Sequence, residues 1–130
     1  MRITDTHSIE GLAAAQLAAT DNALIAIDAK DYERMKVKLG SPSVAVDTGE
    51  TDNVDSLCQS IRDELSEAEL EQTKGILLLV RTSRERGMTM NDLLRIDSLF
   101  RAFTEAGCFM RGLWYDLPEG KCRITAILWK

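Results

Sequence analysis

At 130 residues and 45% hydrophobic content, the chain has material for one modest core, which argues against two independent domains. A formal net charge of -5 excludes the clustered Lys and Arg surface that displaces counterions from nucleic-acid phosphates. Apolar runs such as residues 76–80 fall far short of the roughly 20 residues that span a bilayer, and the amino terminus carries no basic segment followed by an apolar one, so the expectation is a cytoplasmic protein whose partners are proteins or small ligands, not nucleic acid or membrane.

In chain order, Ser8 is suited to cap a helix carrying Ile9, Leu12, Ala13 and Leu17 at a 3.6-residue period and ending near Thr20, Asp21 and Asn22. His7, beside the cap, is expected to be exposed. Residues 23–27 form a short apolar segment. Asp28 then opens a second helix with Tyr32, Met35 and Leu39 on one face, stopped by Gly40, Ser41 and Pro42. Residues 43–46 read as a strand, and the polar turn 47–53 leads into an amphipathic helix with Val54, Leu57, Cys58, Ile61 and Leu65 inward. Residues 64–74 read as a charged connection. The unbroken apolar strand 76–80 predicts a central place in the sheet, covered on both faces. After the loop 83–87, Thr89 with Asp92 three residues on, and Met88 set to pack on Leu93, predict a helix start. Its buried stripe is Leu93, Ile96, Phe100 and Phe103, with Gly107 closing it. Residues 108–116 and 121–129 are expected to pair as a hairpin through Leu117, Pro118, Glu119 and Gly120. The fold class is α/β (α+β): a helix-loop-helix lead-in over residues 1–40, then a β-α-β-α-β-β mixed sheet over residues 41–130, all in one domain.

In the hairpin register Cys122 faces Tyr115 and Cys108 faces Trp129, which puts these thiols out of reach of a disulfide. With Cys58 they read as reduced, mostly buried small apolar residues. No CxxC spacing occurs and His7 is the only imidazole, so neither a zinc site nor any other cofactor is expected. Trp114 and Trp129 read as packing or interface residues. Arg81, Arg84 and Arg86 gather at the end of the central strand, where α/β sheets bind ligands, although their alternation with Ser and Glu favours a solvated loop over an anion site.

The segment Ala23-Leu24-Ile25-Ala26-Ile27-Asp28-Ala29-Lys30-Asp31 is similar to the GLINxDxxD catalytic loop of FtsZ and its archaeal relatives. Gly49 and Glu50 match that family's turn before its next helix, residues 75–80 its glycine-led apolar strand, and Met88-Thr89-Met90 its leucine-threonine-leucine helix start. Gly112, Asp116, Gly120 and residues 123–127 match its closing FGxxIDxxLxGxxRVTVIA segment. In order and spacing, the chain from Ser8 onward resembles the carboxy-terminal domain of the FtsZ/tubulin-type cell-division GTPase family.

The resemblance implies the fold of that second domain and what the chain lacks. The family holds GTP phosphates with a GGGTGTG segment in its first domain, whereas Gly11, Gly40, Gly49 and Gly75 stand isolated here. The chain is therefore expected not to be a self-sufficient GTPase. In FtsZ the loop carboxylates reach GTP on the next subunit, so the resemblance assigns Asp28 and Asp31 a catalytic role only in trans, with Ala23 and Ala26 replacing the family's Gly and Asn. From the residues alone, both aspartates are explained as helix caps. Without a first domain to cover them, Leu24, Ile25 and Ile27 are expected to form an association surface. The leading expectation is a non-catalytic interaction module that contacts itself or an FtsZ-like filament subunit. The alternative is a small oligomeric enzyme with an anion site between subunits, built from Arg81, Arg84, Arg111 or Arg123.

Overall fold

The apolar strand predicted at the centre is the axis of the sheet. In the computed structural model, which describes residues 1–18, 23–25, 27–101 and 108–130, the elements run β1 (Arg2–Ile3), α1 (Thr6–Ala18), β2 (Ala23–Ile25), α2 (Ala29–Leu39), β3 (Val44–Asp47), α3 (Val54–Glu64), α4 (Glu67–Glu71), β4 (Gly75–Thr82), α5 (Met90–Arg101), β5 (Cys108–Tyr115) and β6 (Cys122–Trp129). Among the described residues the strands form one six-stranded mixed sheet in the order β1-β3-β6-β4-β5-β2, with β4 parallel to β5 and antiparallel to β6.

Two-residue alternation sends the side chains of β4 to two cores. Ile76, Leu78 and Val80 pack with α3, α4 and α5, while Leu77 and Leu79 pack with α1 and α2. Every residue of β4 is buried, which is why its sequence shows no polar alternation. The predicted stripes hold: Ile9, Ala13 and Leu17 on α1, Tyr32 and Met35 on α2, Leu57, Cys58 and Ile61 on α3, and Leu93, Ile96 and Phe100 on α5 are buried. Phe103, Gly107, the helix end at residues 20–22, and Ala26 lie outside the described residues.

Four expectations need correction. Residues 108–116 and 121–129 do not pair with each other, because β4 lies between them. Tyr115 and Cys122 both flank Thr82, and Cys108 and Trp129 both flank Gly75, so the expected partners share a row but stand one strand further apart. The connecting turn crosses the end of β4: Leu117 N donates to Thr82 O at 3.2 Å, and Gly120 N donates to Ser83 Oγ at 2.9 Å. A strand apolar on both faces needs ladder partners on both edges, and β5 and β6 supply them. The thiols are free, as expected, with Cys58 and Cys122 buried and Cys108 half-buried. Burial pushes the Cys122 thiol up to about 11.

Second, Ser8 is not the cap of α1. Asp5 is, its Oδ2 accepting from Ser8 N and Ser8 Oγ at 2.8 Å each. Third, the charged connection contains α4, which is capped by Ser66 and anchored through Glu69. Arg2 clasps the Glu69 carboxylate at 2.8 and 2.5 Å and Lys130 reaches it at 2.9 Å, holding its carboxyl down to about 2. Fourth, the short end strands β1 and β2 extend the predicted sheet at both edges.

Thr89 and Asp92 form the predicted reciprocal cap, with Thr89 Oγ1 accepting from Asp92 N at 3.2 Å and Asp92 Oδ2 accepting from Thr89 N at 2.9 Å. Thr89→Ala should cost about 1 kcal/mol, read as a lower urea midpoint at unchanged slope. An unaltered midpoint would show that the cap contributes nothing.

Candidate functional site

β2, at one edge of the sheet, and the start of α2 carry the described part of the segment 23–31. β2 runs antiparallel to β5, with Ala23 opposite Trp114 and Ile25 opposite Leu113, and its register shifts between the two pairs. The three apolar residues expected at an association surface part ways here. Leu24 is 64% exposed and Ile25 40%, whereas Ile27 is 2% exposed and belongs to the core under α1 and α2. Ile27 has room there because residue 112 is glycine. A Cβ at Gly112 would lie 3.3 Å from Ile27 Cγ1 and 2.5 Å from the six-membered ring of Trp114.

Asp28 and Asp31 build the start of α2. Asp28 Oδ1 accepts from Lys30 N at 2.9 Å and Asp31 N at 3.1 Å, and Asp31 Oδ2 accepts from Asp28 N at 3.0 Å. Arg34 approaches Asp31 Oδ1 at 3.5 Å. This reciprocal capping box is the arrangement predicted from the residues, and it commits one oxygen of each carboxylate to helix amides.

Arg81 points into the face covered by α1. Its Nε donates to Gln16 Oε1 at 2.9 Å, Nη2 donates to the Gln16 carbonyl and Nη1 to the Asp116 carboxylate, with the guanidinium 4.6 Å from the centre of the Trp114 ring. Arg111 is paired with Asp97, and Arg123 holds Asp47 at 2.9 and 2.5 Å. Arg81, Arg111 and Arg123, weighed as anion ligands, are thus engaged by carboxylates of their own fold. Arg84 is exposed and, with Ala23, Leu24 and Tyr115, lines an open groove of about 360 Å³. Tyr115 was not singled out by sequence; only its place at the end of β5 pointed to it.

A second groove, of about 340 Å³, lies between the starts of α3 and α5. Of its lining charges, Arg95 pairs with Asp55, Asp52 with Lys121 and Arg86 with Glu119. Among the described residues, no group of three or more His, Cys, Asp or Glu is placed to hold a metal ion. Nor is any described helix long and apolar enough to cross a membrane.

No family model matches the chain, and no curated protein matches it in sequence. Solved structures do match in fold. GDP-form protofilaments of TubZ from Bacillus thuringiensis serovar israelensis superpose with a TM-score of 0.56 at 13% identity, over 85% of this chain and 31% of that one. An empty FtsZ dimer from M. jannaschii superposes with a TM-score of 0.55 at 17% identity, over 95% of this chain and 36% of that one. The chain therefore spans about a third of the length of either protein. The likeness read from the sequence holds at the level of fold: the six-stranded mixed sheet and its helices have the fold of an FtsZ/tubulin-like carboxy-terminal domain.

Proposed function

We propose that this chain is a non-catalytic assembly module of FtsZ-like fold, which associates through β2 and the start of α2 with a second copy of itself or with an FtsZ-like filament subunit in the cytoplasm. The observation that carries the reading is the exposure of two large apolar side chains, Leu24 and Ile25, at consecutive positions of an edge strand, with Leu24 lining an open groove. Solved proteins of like fold include a protofilament and a dimer, which supports association as the mode of action. Isolated glycines and the absence of a GGGTGTG-like segment support the view that the chain does not handle GTP alone. The aspartates at residues 28 and 31 serve as caps.

Sedimentation velocity over a concentration series tests this, alongside co-sedimentation with FtsZ-like filaments. Wild type should associate in at least one assay, and replacing both Leu24 and Ile25 by Asp should weaken that association about tenfold or more, since a charge forced into an apolar contact is desolvated without a partner. Calorimetric titration with GTP or GDP should give no saturable heat. A chain that stays monomeric at high concentration and ignores filaments would sink the proposal, and micromolar nucleotide binding would sink its nucleotide-independent part.

A further inference from the structure

A buried guanidinium is an expensive way to fill a core, and an apolar residue of the same size is often as stabilising or more so. Arg81 has a side chain only 7% exposed, with Asp116 as its carboxylate partner, so stability alone is a weak reason for its presence. Its ligands point to a more specific use. Gln16 lies on α1, and Arg81 takes both its backbone carbonyl and its side-chain amide oxygen. Trp114, beneath the same guanidinium, is the β5 residue opposite Ala23, where β2 begins. Arg81 is itself paired with Trp114, so Arg81, Trp114 and Ala23 form one row across three strands. The indole Nε1 is buried without a hydrogen-bond partner among the described residues, so the ring is held by the stacked guanidinium and by apolar packing rather than by a hydrogen bond of its own.

We infer that Arg81 is a positioning residue for the association edge: one side chain ties together α1, at Gln16, and the β5 residue that faces Ala23 of β2, and so sets where Leu24 and Ile25 are presented. This rests on the reading of residues 23–31 as the association surface. The planar fork is essential to it, because an ammonium group cannot serve two directions of acceptor in one plane while lying flat on an indole.

Arg81→Lys keeps the charge and removes the fork. Amide hydrogen exchange at Ala23, Leu24 and Ile25 should quicken about tenfold while the amides of β3 and β6 keep their rates, and association should weaken by a similar factor, equivalent to about 1.4 kcal/mol. Gln16→Ala, which removes a single ligand, should shift the same amides in the same direction by less, and it decides the matter if the lysine variant fails to fold. Unchanged exchange at residues 23–25, or a uniform rise over the whole chain, would overturn the inference. Association that Leu24→Asp weakens and Arg81→Lys leaves untouched would also overturn it, with the function of the edge intact. If wild type does not associate at all, that function is lost and the exchange rates alone decide the role of Arg81.

Discussion

Replacing Phe100 by alanine is expected to cost about 3–5 kcal/mol of folding stability. The ring is fully buried in the core beneath α3, α4 and α5, alongside Leu57, Ile61, Ile96 and Leu113. It lies on α5, between the parallel strands β4 and β5 in chain order, so the cavity opens inside a close-packed core and cannot easily close. Leu94 on the same helix is 54% exposed, and Leu94→Ala should change stability by less than about 0.5 kcal/mol. Urea unfolding of the two variants separates the faces of α5. Similar losses for both would mean that the buried stripe is misassigned.

Asp47→Ala should be next in cost, at about 2–3 kcal/mol. Asp47 ends β3 at 8% exposure and accepts from Arg123 at 2.9 and 2.5 Å and from Gly49 N at 3.1 Å. Removing one partner of a fully buried pair costs more, but the Arg123 side chain is 26% exposed and can recover water, so the loss falls within the range for charged hydrogen bonds. Burial by itself raises the Asp47 carboxyl, but the Arg123 guanidinium and the Gly49 amide outweigh it and hold it below its ordinary value of 3.8. A carboxylate lowered in the folded state stabilises fully above its unfolded value and loses that contribution as pH falls through the folded one. The gap between wild type and Asp47→Ala should therefore be level from about pH 7 to pH 5 and narrow below about pH 4. A gap that widens in acid would contradict the assignment.

Where a signal is local, the sequence was sufficient. The caps at Asp28 and Thr89 each depend on residues within one turn, and the stripes of α3 and α5 on a period that short segments display in full. Even here a competing residue three positions away can win, as Asp5 does over Ser8. The pairing of β5 and β6 failed because their neighbour β4 lies far back in the chain, and adjacency in sequence is a poor guide when a turn steps over an intervening strand. β1 has two residues and β2 three, too few to show a period of two. The same distinction divides the candidate site. The capping role of Asp28 and Asp31 was legible in their spacing. The fate of Arg81 was not, since Gln16 and Asp116 lie 65 and 35 residues away. Among Leu24, Ile25 and Ile27, apolar character alone could not say which would turn outward, since the glycine that admits Ile27 is residue 112.

The position of β6 governs the order in which the molecule can be assembled. It follows the other described strands in chain order, yet it sits between β3 and β4, and no described strand joins β3 to β4 without it. Until residues 122–129 have left the ribosome, strand pairing in the nascent chain is confined to two separate sets, β1 with β3 and β4 with β5 and β2. Both sets then present an open edge of apolar strand, the geometry most prone to pairing with another chain. The interval before β6 inserts is thus the period of greatest exposure of these edges during biosynthesis, and closure of the sheet is a long-range event in a fold whose helix caps can form at once.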